Sequence, residues 1–241
     1  MLEMIPAFAH AHRRLLEIAM KMLATAFCFL GAGLILSSAA HEPSTNPERP
    51  KFKIEIRATG EKGPGYAVTN LTAKTLTAGV FDLSYSSQAQ GTWRSKIVWD
   101  SLLQNDPPIE PGRTVFRPLL LIGRNALPSK VEVIAGLWAD GESFGQPVWV
   151  DNILKTRALR ASQYEDAAAI LQQGLNQNWP PNQYQQAFSN KPDSGPVYTV
   201  RTALSATQQT AQTPQEFTHT MQFLLQSFRQ QSDKLRKAKP L

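Results

Sequence analysis

Phe52-Lys53-Ile54-Glu55-Ile56-Arg57-Ala58 is the stretch on which the fold turns. Apolar and charged residues alternate one by one. A strand sends successive side chains to opposite faces, so this segment reads as a strand buried on one side. Thr59-Gly60-Glu61-Lys62-Gly63-Pro64-Gly65 carries turn chemistry, and Tyr66-Ala67-Val68-Thr69-Asn70-Leu71 resumes a strand. Further strands are expected over residues 76–85, 93–99, 114–122 and 131–138. Pro118 cannot donate to a ladder, which places 114–122 at an edge or a bulge. In the 131–138 strand Val131, Val133 and Ala135 point one way, while Ile134, Leu137 and Trp138 make its later half apolar on both faces. Asp140-Gly141-Glu142-Ser143-Phe144-Gly145 reads as a hairpin connection, with Pro147-Val148-Trp149-Val150 pairing back. About seven short strands with regular turn signals predict an antiparallel β-sandwich.

Beyond Val150 the apolar period becomes helical. Ser162-Gln163-Tyr164-Glu165 has the form of a capping box, and Tyr164, Ala167, Ala168, Leu171 and Leu175 make one stripe behind it. That helix is expected over 162–177, with an earlier start near Asp151 or Asn152 also consistent with Ile153, Leu154 and Leu159. Trp179-Pro180-Pro181 stops it. Residues 182–196, rich in Asn, Gln and Pro, read as a loop, and 197–204 as a helix against a local strand propensity. Thr213-Pro214-Gln215-Glu216 is a second capping box with proline at the first helical position, opening a helix to about Lys237. Phe217, Met221, Leu224, Leu225, Phe228 and Leu235 mark a wide apolar face on it, which must pack on something. The 162–177 helix is the first choice and the sandwich the second; the same face is also the candidate partner surface. The expected class is therefore α+β: an all-β antiparallel sandwich of about seven strands at 51–150, followed by a helical segment at 151–241.

Three stretches carry a resemblance. The run Tyr66-Ala67-Val68-Thr69-Asn70-Leu71-Thr72, the turn Ile109-Glu110-Pro111-Gly112 and the 131–138 strand resemble the immunoglobulin- or fibronectin-like sandwich modules of exported bacterial proteins. The antibody cysteine pair is missing, so the architecture is what the resemblance carries. It implies a binding or scaffolding role and transfers no active-site residue.

The N-terminal part names a compartment. Arg13, Arg14 and Lys21 precede an uncharged apolar block, residues 22–36, and Ser37-Ser38-Ala39-Ala40 follows. Basic, apolar, small is the order of a secretory signal, and the block is shorter than the roughly 20 residues of a membrane span. Ser38 and Ala40 suit a cut before His41. The rival readings are an uncleaved anchor and a buried helix. Residues 1–40 are thus read as signal or anchor, and 41–50, with Pro43, Pro47 and Pro50, as a linker. The membrane is touched only through residues 22–40 if uncleaved, and residues 41–241 are expected in the periplasm or outside the cell.

The chain carries a formal charge of +6, which falls to +5 without residues 1–40, since these hold three basic and two acidic residues. Arg229, Lys234, Arg236, Lys237 and Lys239, set against one Asp233, account for much of the excess and suit the C-terminal end of a helix dipole. No aromatic residue interleaves them, so nucleic acid is not an expected partner. Cys28, the one cysteine, falls in the apolar block, so residues 41–241 hold no disulfide, thiolate nucleophile or cysteine metal site. His10, His12, His41 and His219 form no pair at ligand spacing, and no Gly-x-Ser-x-Gly elbow exists. No catalytic residue, cofactor or metal site is assigned. Asp140 and Glu142 could hold calcium or act as paired acids, but Asp-Gly is also what a tight turn demands. Asp82 and Asp100 are expected to face outward. Asn70-Leu71-Thr72 matches a glycosylation acceptor. Trp93, Trp99, Trp138 and Trp149 could make a sugar platform, although core packing accounts for them better. The expected function is non-enzymatic binding or scaffolding of another envelope protein or polymer. A carbohydrate- or wall-polymer-binding module is second, and a carboxylate-based hydrolase third.

Overall fold

Strand β1 (Phe52–Arg57) forms where the alternation begins, with Phe52, Ile54 and Ile56 turned inward and Lys53, Glu55 and Arg57 exposed. It pairs antiparallel with β2 (Gly65–Asn70), Ile54 opposite Val68. Strand β3 (Leu76–Ser87) and β4 (Gly91–Asp100) form a long antiparallel pair, Phe81 opposite Ile97. A short helix α1 (Ser101–Gln104) follows, then β5 (Thr114–Pro118), β6 (Lys130–Trp138) and β7 (Ser143–Gly145). Four helices follow among the described residues: α2 (Pro147–Asn176), α3 (Pro181–Ser189), α4 (Gly195–Gln209) and α5 (Pro214–Lys237). This computed structural model describes residues 50–58, 63–87, 91–119, 127–209 and 213–237. The expected export segment, all of the linker but Pro50, and the end of the expected 114–122 strand lie outside the described residues.

The class is α+β, with two antiparallel sheets and helices. One sheet has the order β1-β2-β5 and the other β4-β3-β6-β7. Pro118 ends β5, which pairs only with β2, so the proline sits at an edge, where its missing N–H breaks no ladder. Tyr66 and Val68 of the first sheet share an apolar core with Phe81, Leu83, Trp99 and Trp138 of the second. The Tyr66 and Phe81 rings lie 5.4 Å apart, and Phe52 stacks on Trp138 at 6.2 Å. The other face of the four-stranded sheet is also covered. Ala78, Val80, Ala135 and Leu137 pack there with Val150 and Ile153 of α2. Burial on both sides explains the near-continuous apolar runs in β3 and β6.

A β-bulge decides which residue of β6 faces which core. Val80 pairs with Ala135 and Phe81 with Val133, so Ile134 is skipped. Val131 and Val133 therefore face the inter-sheet core, whereas Ala135 and Leu137 face α2. The expected grouping of Val131, Val133 and Ala135 on one side is corrected by this one extra residue.

The helical boundaries also need correction. Residues 147–150 are not a strand but the first turn of α2. Proline is tolerated there because the first amide of a helix has no partner to lose. Residues 143–145, expected inside a hairpin connection, supply the strand on β6 instead. Gly145 turns the chain from β7 toward α2 at φ +85, and a Cβ there would lie 2.0 Å from the Ile134 carbonyl oxygen. Ser162 is mid-helix, so the first capping box is not a cap. Residues 182–196 are not one loop, because α3 occupies 181–189 with Tyr184 and Phe188 buried one turn apart. The second box is formed: the Thr213 amide donates to Glu216 Oε2 at 2.8 Å, and the Glu216 amide to Thr213 Oγ1 at 3.3 Å.

By internal contacts, residues 173–221 form one unit, and residues 50–172 with 222–237 form another. In the second unit the last turns of α5 pack on α2. Phe228 meets Tyr164 at 5.4 Å between ring centroids, and Ser232 Oγ donates to the Glu165 carboxylate at 2.9 Å. Glu165 also pairs with Arg236. In the first unit Tyr184 packs edge-on to Phe217 and lies against Gly174, where a Cβ would come within 2.4 Å of its ring.

Candidate functional site

The expected partner surface is covered. Phe217, Met221, Leu224, Leu225, Phe228 and Leu235 are all buried within the chain, none more than 7% exposed.

The acids are drawn to cations. Asp140 Oδ2 and Glu142 Oε2 converge on Lys74 Nζ at 2.8 and 2.6 Å. The ammonium occupies the place that calcium would need and holds the Asp140 carboxyl below the usual range, helped by the Glu142 amide. Asp82 and Asp100, expected outside, are inside. Asp82 is 3% exposed and paired with Arg94; Asp100 is 2% exposed and paired with Arg157 of α2. Arg157 grips Asp100 side-on, Nε to Oδ2 at 2.6 Å and Nη2 to Oδ1 at 3.1 Å, while Asp100 Oδ1 also accepts the Leu102 amide and caps α1. Strand alternation alone could not reveal this. The partner of Asp100 lies 57 residues away and that of Asp82 lies 12 away across the β3–β4 pair, and a paired cation makes an inward aspartate tolerable.

Arg117 is placed differently. Its guanidinium lies 4.4 Å over the Trp99 ring, and Nη1 meets Asp106 Oδ2 at 2.5 Å. Its Nε and Nη2 are buried without a hydrogen-bond partner. Trp99 and Trp138 are core residues, Trp93 stacks on Tyr85 at 5.2 Å, and Lys96 lies over Trp149. The four tryptophans thus make no common platform. Asn70 is fully buried: its Nδ2 donates to the Lys74 and Ile109 carbonyls and its Oδ1 accepts from Thr72. It therefore serves as a loop clasp in the folded chain, not an accessible glycosylation acceptor. His219 is exposed. Among the described residues, no group of three or more His, Cys, Asp or Glu side chains is placed to hold a metal, and no helix is long and apolar enough to cross a membrane.

A groove beside α4 was missed by the sequence reading, which took 182–196 as loop. Helix α3 ends at Ser189, and residues 190–194 return the chain to α4. Arg201 of α4 holds this turn. Its Nε donates to the Phe188 carbonyl, Nη2 to the carbonyls of Ser189 and Lys191 at 3.0 and 2.9 Å, and Nη1 to Asp193 Oδ1 at 2.5 Å. The fixed turn leaves an open groove of about 550 Å³ lined by Asp193, Ser194, Tyr198, Arg201, Thr202 and Ser205. Those on α4 fall at helical spacing, three or four residues apart, on one face. Tyr198 is 54% exposed in it, and Ser194 is buried. Comparison with known proteins adds no assignment: no family model matches this chain, and neither a curated protein nor a solved structure does.

Proposed function

We propose that this chain is an exported, non-enzymatic binding or scaffolding module of the cell envelope, with an immunoglobulin-like sandwich at 51–150 as its framework. The basic, apolar, small order of residues 13–40 supports export to the periplasm or beyond, by a cleaved signal or an uncleaved anchor. Two antiparallel sheets around a common core support the framework. Pairing of these acids with cations carries the choice of binding over catalysis. Asp82, Asp100 and Asp106 each face their own arginine, and Asp140 and Glu142 share Lys74. Lys74 holds the Asp140 carboxyl low, the opposite of the raised carboxyl that a hydrolytic acid requires.

Expression of the full chain in a Gram-negative host tests this reading. Fractionation and mass measurement should find a product starting near His41 in the periplasm, or the full-length chain in the membrane with residues 41–241 open to external protease. Full-length chain in the cytoplasm would refute the export half. Hydrolysis of glycoside or ester substrates, abolished by Asp140→Asn, would refute the binding half. A carbohydrate partner is the second reading, and the groove on α4, not the tryptophans, is what favours it.

A further inference from the structure

We infer that the groove on α4 is a binding site for a neutral oligosaccharide. This rests on the binding reading and not on export. The groove's volume of about 550 Å³ lies within the usual range of ligand sites, roughly 300–1,000 Å³. It is open rather than enclosed, which suits a stretch of a longer chain whose ends run out into solvent.

Three features select the ligand. The first is the exposed ring of Tyr198. Its apolar face can cover the C–H face of a pyranose, while its hydroxyl keeps a polar tip. Other exposed apolar side chains, such as Phe223, are surface residues of a kind normal for any protein. The second is rigidity. Arg201 is tied to three main-chain carbonyls, so the rim of the site is set before a ligand arrives and little ordering is required on binding. The third is charge balance. Asp193 neutralises Arg201 through Oδ1, and its side chain remains 84% exposed, so Oδ2 can accept sugar hydroxyls. A groove with no net charge gives phosphate or carboxylate no advantage. Ser205 Oγ donates to the Arg201 carbonyl and keeps its lone pairs, and Thr202 adds a hydroxyl. Hydroxyl acceptors and donors around one aromatic face match a polyol with an apolar side better than an anion.

Calorimetric titration of the full chain with cellotetraose, chitotetraose and xylotetraose tests the site. At least one should bind, and Tyr198→Ala should weaken that binding at least tenfold with an unchanged circular dichroism spectrum, while Tyr198→Phe keeps most of it. Asp193→Asn should weaken it severalfold. If none of the three binds at about 10 mM, or if Tyr198→Ala binds like the unaltered chain, the proposal is overturned. Binding that survives Tyr198→Ala would overturn the site while leaving the binding reading intact. Hydrolysis of the bound tetrasaccharide would overturn the non-enzymatic reading instead.

Discussion

Arg157→Met should be among the most damaging single substitutions in the strand-bearing unit. Arg157 and Asp100 are both buried, 3% and 2% exposed, and share two hydrogen bonds at 2.6 and 3.1 Å. Methionine fills much of the same space but leaves the Asp100 carboxylate with the Leu102 amide at 3.0 Å as its remaining hydrogen-bond donor. Breaking a buried pair from one side costs about 3–5 kcal/mol, because an uncompensated charge stays inside. Set against a total of roughly 5–15 kcal/mol for a domain, that is a large fraction. Asp100→Asn should cost less than Arg157→Met, since asparagine remains a good helix cap. The double variant should be less destabilised than the sum of the singles by about 2 kcal/mol or more, because the charges leave together. Urea unfolding of the full chain, followed by circular dichroism, measures all three. A loss under about 1 kcal/mol for Arg157→Met, or strict additivity in the double variant, would falsify the view that this pair locks α2 to the end of β4.

Three further outcomes follow from the same geometry. Gly174→Ala gains up to about 1 kcal/mol of helix propensity, yet should lower the melting temperature, because its Cβ would meet the Tyr184 ring at 2.4 Å and overpacking costs about 1–3 kcal/mol; a raised melting temperature would show that the ring can move. Burial pushes the Tyr184 hydroxyl up to about 12 and that of Tyr66 higher still. The folded state then holds these protons longer than the unfolded one, so stability is full below pH 10 and falls as pH rises through 12. Tyrosinate absorbance appearing with unfolding supports this order; ordinary titration of both groups near pH 10 in the folded chain contradicts it. Asp140 is held low by Lys74, so its contribution is present above the unfolded carboxyl pKa and lost as pH falls through the folded value. Lys74→Met should return the Asp140 titration, read by NMR, toward the ordinary aspartate range, and an unmoved titration would remove Lys74 as the cause.

The candidate groove was only partly legible. Tyr198 and Arg201 sit in a segment whose helical character was read, but their surroundings depend on α3, which Asn, Gln and Pro content disguised as loop. Tyr184 and Phe188, one helical turn apart, were the signal that could have found it. Nothing local marked Arg201 as the clasp of the turn, because its acceptors are carbonyls that any residue supplies.

The sequence by itself determined the elements whose cause is local. The alternation in β1, the edge position of Pro118 and the Thr213–Glu216 cap each depend on residues within a few positions, and each is present. Tertiary structure alone decided the rest. Ile134 became a bulge because β6 must present one half to the facing sheet and the other to α2. Asp82 and Asp100 turned inward because Arg94 and Arg157 were there to meet them. Pro147-Val148-Trp149-Val150 became a helix rather than a strand because that places Val150 and Ile153 on the outer face of the four-stranded sheet. In each case a strand pattern or propensity of small energy yielded to burial and charge pairing, which are larger and act between residues far apart in the chain.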